Sequence, residues 1–134
     1  MKKVFLDTNI LIDYVLNRLG GSDAKQLLTR ARAGEVNLSA SLLTFANMAY
    51  ILKGKADVYG LFAMLTQFVD VLPMDGNQLQ AALGQKVRDF EDMLQYQCAK
   101  VAGCEVIITN NKRDFEEFSD LPVMTAEEYL EQLP

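Results

Sequence analysis

Short runs of strand character alternate along the chain with longer stretches of helical period. Lys3-Val4-Phe5-Leu6 and Glu105-Val106-Ile107-Ile108-Thr109 have apolar cores with no polar residue interleaved. That pattern suits strands buried on both faces, which occur almost only in parallel sheets covered by helices. Val36 to Ala40, Val69 to Leu72 (closed by Pro73) and Pro122 to Met124 read as three further strands. Between them a helix runs from about Asn9, with Ile10, Leu11, Tyr14 and Val15 on one side, and Gly20-Gly21 ends it. Ser22 is expected to cap a second helix that carries Ala24, Leu27, Leu28 and Ala31 and stops at Gly34. A third opens at Ser41 or Leu42 and continues to about Leu52. Ala56 to Phe68, Gln78 to Val87, Phe90 to Ala102 and Ala126 to Leu133 complete the helices. This alternation predicts an α/β architecture with three layers, α/β/α, around a central parallel sheet of about five strands. The 134 residues suit a single domain, 1–134, and no repeat, low-complexity segment or proline-rich linker divides it.

The chemistry open to such a chain is narrowed by one absence. It contains no histidine. A Ser-His-Asp or Cys-His nucleophile system, an imidazole base and a mixed Cys/His zinc site are therefore excluded. Carboxylates remain, either as acid/base pairs or as ligands for a hard cation such as magnesium. The only cysteines, Cys98 and Cys104, form no C-x-x-C pair and read as ordinary buried thiols of a reduced, intracellular protein. After Lys2-Lys3 only Val4, Phe5 and Leu6 precede Asp7, too little for the apolar region of a signal peptide. The longest uncharged stretch, Val36 to Leu52, carries Asn37, Ser39, Ser41, Thr44 and Asn47 and is too polar to span a membrane. The expectation is a soluble, cytoplasmic protein.

Ligands of open parallel sheets bind outside the carboxyl ends of the strands. Asp7 directly follows the first strand, and Asp114 lies shortly after the fourth. If those strands are neighbours, both acids share one rim. Asp89 and Asp92 fall at the start of the helix leading into the fourth strand. Like charges gathered this way call for a cation or for protons. Magnesium bound by carboxylates can hold phosphate oxygens and activate water, which makes phosphoryl transfer the natural reaction. The plainer role for Asp7 is to cap the next helix. Asp92 also has a plainer reading. Its helix carries Phe90, Leu94, Cys98 and Val101 as an apparent apolar stripe. At about 100° per residue Asp92 points nearly opposite, alongside Tyr96 and Ala99, and so toward solvent. Asn47 sits among Leu43, Tyr50 and Ile51, and its amide needs a partner if buried, with Thr44 one turn back as the nearest.

Three stretches together resemble a known family. Val4-Phe5-Leu6-Asp7-Thr8-Asn9-Ile10-Leu11-Ile12-Asp13 is similar to the opening of PIN-domain nucleases. Asp92-Met93-Leu94-Gln95-Tyr96-Gln97-Cys98-Ala99 matches their central helix, and Val106-Ile107-Ile108-Thr109-Asn110-Asn111-Lys112-Arg113-Asp114-Phe115 their last core strand and following loop. Order and spacing agree over nearly the whole chain, whose length suits the compact VapC-type toxins. The resemblance implies a PIN-like fold and an endoribonuclease dependent on Mg2+ or Mn2+. It carries the catalytic and metal-binding acids to Asp7, Asp92 and Asp114, with Thr8, Asp89, Asn47 and Asn111 in supporting places. It also implies an RNA substrate, an antitoxin partner and a homodimer. Two positions depart from the pattern. Asn47 stands where the family usually has a glutamate, and Asn111 where a further acid is often found. An amide oxygen can ligate magnesium but brings no charge.

Lys+Arg number 13 against 18 Asp+Glu, a net charge of −5. Phosphate binding therefore needs a local basic rim. Lys112-Arg113, Lys53 and Lys55 are the candidates. A haloacid-dehalogenase-type phosphatase also opens on a strand and an aspartate, but it needs a second acid where this chain has Asn9. Ser22-x-x-Lys25 spells a serine acyl-transfer motif without its companion motifs. The serious alternative is a degenerate PIN domain that binds RNA or protein without cutting.

Overall fold

The computed structural model describes residues 2–134. Five strands, β1 (Lys3–Leu6), β2 (Asn37–Ser41), β3 (Val69–Leu72), β4 (Val106–Ile108) and β5 (Val123–Met124), form one sheet in the order β3-β2-β1-β4-β5. Every pairing is parallel, and β1 and β4 are direct neighbours with Leu6 opposite Ile108. Helices α1 (Thr8–Val15), α2 (Gly21–Arg32), α3 (Leu42–Ile51), α4 (Val58–Leu65), α5 (Gly76–Leu83), α6 (Phe90–Val101), α7 (Arg113–Glu116) and α8 (Ala126–Glu131) connect and follow them.

The centre of the sheet is covered on both faces, with Val4 to Leu6 of β1 and all of β4 buried, while β3 at the edge exposes Asp70 and Val71. Successive strand residues point to opposite faces, so Val4 and Leu6 join one apolar core while Phe5 joins the other. The first core takes residues of α1, α2, α3, α4 and α8, and the second those of α5, α6 and α7. This is the expected three-layer α/β/α fold. The chain moves outward from β1 to β2 and β3, then returns to lay β4 on the other side of β1. The strand order therefore reverses between β1 and β4, the crevice where such sheets bind ligands.

Two local expectations are corrected. Ser22 does not cap α2: it lies exposed inside the helix, and Gly20 is the N-cap in a left-handed conformation, φ 92°. The helix starts early because Gly21 packs onto α1, where an added Cβ would lie 2.6 Å from the Asp13 carbonyl oxygen. In α6 the apolar stripe is misassigned. Phe90 and Val101 are 42% and 71% exposed, and the buried residues are Met93, Gln95, Tyr96, Cys98 and Ala99. The side that Asp92 shares with Tyr96 and Ala99 is therefore the packed side.

Cys98 and Cys104 are free and buried, and burial pushes the Cys98 thiol up to about 11. Among the described residues no helix is long and apolar enough to cross a membrane.

Candidate active site

An open cleft of ≈ 380 Å³ sits at the strand-order reversal. Asp7, Thr8, Asn9, Asn47, Tyr50, Ile51, Asp89, Glu91, Asp92 and Asp114 line it.

Asp7 stands between β1 and α1, and its role as a helix cap is real: its Oδ1 accepts from the Thr8 backbone N–H at 2.8 Å. Its other oxygen, Oδ2, accepts from the Thr109 hydroxyl at 2.9 Å, just past the end of β4. Burial pushes the Asp7 carboxyl above its ordinary range. The two hydrogen bonds work against that shift, while the charges of Glu91 and Asp114 add to it.

Asp89 caps α6, accepting from the Asp92 backbone N–H at 3.2 Å. Asp92 begins the packed face of the helix, and its Oδ2 is buried without a hydrogen-bond partner. Burial first, then the charges of Asp89, Asp7, Asp114 and Glu91, push its carboxyl up to about 7. Asp114 reaches the cleft from α7, with the Arg88 guanidinium 3.7 Å from its Oδ1.

Asn47 does not turn back to Thr44. It is only half-buried, and its Nδ2 donates across the cleft to Glu91 Oε1 at 2.7 Å. Thr44 is occupied elsewhere, in a buried cluster under the cleft floor. There Thr8 and Thr44 hydroxyls meet at 2.9 Å, Gln95 Nε2 donates to both, and Ser41 donates to Gln95 Oε1 at 2.6 Å. The cluster joins α1, α3, α6 and the end of β2, so it holds the cleft walls together.

Asn111 does not line the cleft. It is exposed, and its backbone N–H donates to Thr109 Oγ1 at 3.1 Å, because the loop after β4 folds back before α7. Asn110, not singled out in the sequence, donates instead to Asp13 Oδ2. Of the expected basic rim, Lys112 is tied to Glu128 at 3.1 Å. Gln95, Thr109 and Arg88 are the residues that sequence reasoning underrated. A buried glutamine and threonine carry no sequence signal that separates them from surface residues.

The donor set is entirely oxygen, crowded with negative charge, and holds one buried carboxylate oxygen with no partner. A hard divalent cation fits that chemistry. Asp7, Asp92 and Asp114 could hold it, with Asp89 and Glu91 at the mouth. Among the described residues no three such side chains close on one point tightly enough to chelate an ion. Asp7, Asp89, Asp114 and Glu91 each have a protein partner instead.

Fold and cleft thus define a class: a doubly wound parallel α/β protein with a carboxylate site at its switch point and no imidazole. Comparison with known proteins narrows it. The PIN domain family profile matches residues 3–113. Ribonuclease VapC1 of Aquifex aeolicus (strain VF5) is 27% identical over 139 residues, spanning 98% of this chain and 95% of that protein. A chain of a toxin-antitoxin complex from Klebsiella pneumoniae superposes with a TM-score of 0.69 at 23% identity, over 92% of this chain and 97% of that one. A chain of VapBC-1 from nontypeable Haemophilus influenzae gives 0.63 at 22% identity, over 93% and 98%. The chain belongs to the PIN domain family, as its three sequence stretches indicated.

Proposed function

We propose that this protein is a divalent-metal-dependent endoribonuclease that hydrolyses RNA phosphodiesters and serves as the toxin of a toxin-antitoxin pair. The observation that carries the reading is that Asp7, Asp92 and Asp114 line one cleft at the switch point, with Asp92 Oδ2 buried and unpaired. The name of the Aquifex relative and the toxin-antitoxin complexes of the two structural relatives support the substrate class and the partner.

In this reading Asp7, Asp92 and Asp114 hold Mg2+ or Mn2+. When bound, the ion supplies charge to the phosphate oxygens and lowers the pKa of an attacking water. The chain's own residues do the rest. Thr109 and the Thr8 N–H keep Asp7 oriented. Gln95 fixes α6, and with it Asp92, against the floor. Tyr50, 83% exposed at the cleft wall, offers a face on which an unpaired base can stack. Arg88, exposed beside Asp114, is a rim cation within reach of a phosphate. Pairing of two copies and a cytoplasmic location belong to the same proposal.

RNA cleavage by wild type and Asp7→Asn in Mg2+ or Mn2+ is the test. Equal cleavage by both would remove Asp7 from catalysis and overturn the site. A binding module that does not cut is the second reading, and it is favoured by the spacing of the acids, since among the described residues no three carboxylates close on one point. It prevails if the wild type neither binds Mn2+ nor cleaves any RNA.

A further inference from the structure

The walls of the cleft are unequal in charge. The end of β1 supplies Asp7, α7 supplies Asp114, and the start of α6 supplies Asp89, Glu91 and Asp92. The wall formed by α3 supplies Asn47, Tyr50 and Ile51, and no acid. Across this wall runs the Asn47 Nδ2 to Glu91 Oε1 hydrogen bond of 2.7 Å, joining residues 44 apart in sequence.

That bond has a chemical consequence. An amide donor orients one oxygen of a carboxylate and leaves its charge intact. A cation in the same place would neutralise it. The ion pairs among the described residues are Arg30–Glu35, Arg88–Asp114 and Lys112–Glu128, and none includes Glu91. Glu91 and Asp92 are adjacent in α6, so their side chains diverge by about 100°. Asp92 enters the floor, and Glu91 is drawn to the α3 wall. Consecutive residues of one helix therefore present acids to two sides of the cleft.

We propose that Glu91 is a working carboxylate of this site, a ligand for the divalent cation, and that Asn47 is its positioning residue. This rests on the metal-dependent reading above. Asn47 is thus the tether that fixes an acid on the side of the cleft where α3 has none.

The test is a titration of the full chain with Mn2+ alone, without RNA, followed by calorimetry or by the electron paramagnetic resonance signal of free Mn2+. In Glu91→Gln the new side chain still accepts the bond from Asn47, so the charge is lost and the tether is kept. Mn2+ affinity is expected to fall about tenfold or more, the range seen when groups around a metal are altered. Glu127→Gln, exposed on α8 outside the cleft, is the charge control and leaves the affinity as it is in wild type. The exchange Asn47→Glu with Glu91→Gln moves the carboxylate across the same bond and is expected to regain most of the affinity. If E91Q fails to fold, Asn47→Leu, which keeps the acid and removes its tether, is expected to weaken binding severalfold. Equal Mn2+ affinity in E91Q and wild type overturns the assignment, as does an exchange variant that regains nothing. A wild type that binds no Mn2+ overturns instead the metal-dependent reading on which it rests.

Discussion

The hydroxyl of Thr109 donates to Asp7 Oδ2 at 2.9 Å, across the seam where β1 and β4 pair. The same oxygen of Thr109 accepts the Asn111 N–H at 3.1 Å. One fully buried hydroxyl therefore fixes both the strand-end acid and the turn that leads to Asp114. The acid of β1 and the loop of β4 are set as a unit by the strand order.

Thr109→Val keeps the shape of this residue and removes the donor. A hydrogen bond to a charged group is worth about 1.5–3 kcal/mol, and this one opposes the burial that raises the Asp7 carboxyl. The variant should lose roughly that much unfolding free energy in urea at neutral pH. Asp7→Asn keeps an acceptor for the Thr109 hydroxyl and removes the charge, so in that background the cost of Thr109→Val should fall toward the about 0.5–1.5 kcal/mol of a neutral bond. An equal cost in the two backgrounds would show that the bond gains nothing from the carboxylate's charge.

The raised Asp92 carboxyl has a pH signature of definite sign. Its folded value of about 7 lies above the ordinary aspartate value of 3.8, so between the two the folded chain binds a proton that the unfolded chain has released. Stability due to this group is therefore full below about pH 4 and is lost as pH rises through 7. Asp7 is shifted in the same direction. Asp92→Asn should raise the melting temperature of the metal-free protein most at pH 8 and least at pH 4. Saturating Mg2+ should shrink the pH 8 gain, because the cation relieves the same repulsion. A wild-type minus variant difference that stays flat from pH 4 to 8 would contradict the shift.

Gln95 is 1% exposed and donates to Thr8 and Thr44 while accepting from Ser41. Gln95→Leu has similar bulk and leaves three buried hydroxyls short of partners. Each such group left unsatisfied costs about 1–3 kcal/mol. Relaxation of the hydroxyls toward one another, already 2.9 Å apart for Thr8 and Thr44, brings the expected total to about 2–4 kcal/mol in urea unfolding. The change should also shift Asp92, one helical turn earlier on the same face. Retention of wild-type Mn2+ affinity alongside the lost stability would separate the cluster from the metal site.

The sheet could be read from the chain because its strands are continuous apolar runs, and the strand-end rule then found Asp7 and Asp114. The face of α6 could not be read this way. Phe90 and Val101 are apolar yet exposed, whereas Gln95 is polar yet buried, so hydropathy at helical period pointed to the wrong side. Asn47 shows a second limit. Its partner is 44 residues away, on a wall brought near only by the crossover to α6. Sequence spacing carries no information about a hydrogen bond between elements on opposite sides of a cleft.

Close packing between α1 and α2 supplies a last contrast, between two glycines in helical first positions. At Gly21 a Cβ would lie 2.6 Å from the Asp13 carbonyl oxygen, and the neighbour is backbone that cannot rotate away. At Gly76, the first residue of α5, a Cβ meets nothing within 4 Å, and the backbone is not left-handed. Gly76→Ala restricts the unfolded chain without strain and should stabilise by about 0.4–1 kcal/mol. Gly21→Ala gains the same entropy but forces α1 and α2 apart, and overpacking of this kind costs about 1–3 kcal/mol. It should therefore destabilise on balance. Asp13 lies between this contact and Asn110, so the displacement should also reach the loop after β4. Paired urea titrations decide the matter: opposite signs are expected, and a stabilised Gly21→Ala would mean that α1 and α2 are not in the contact described.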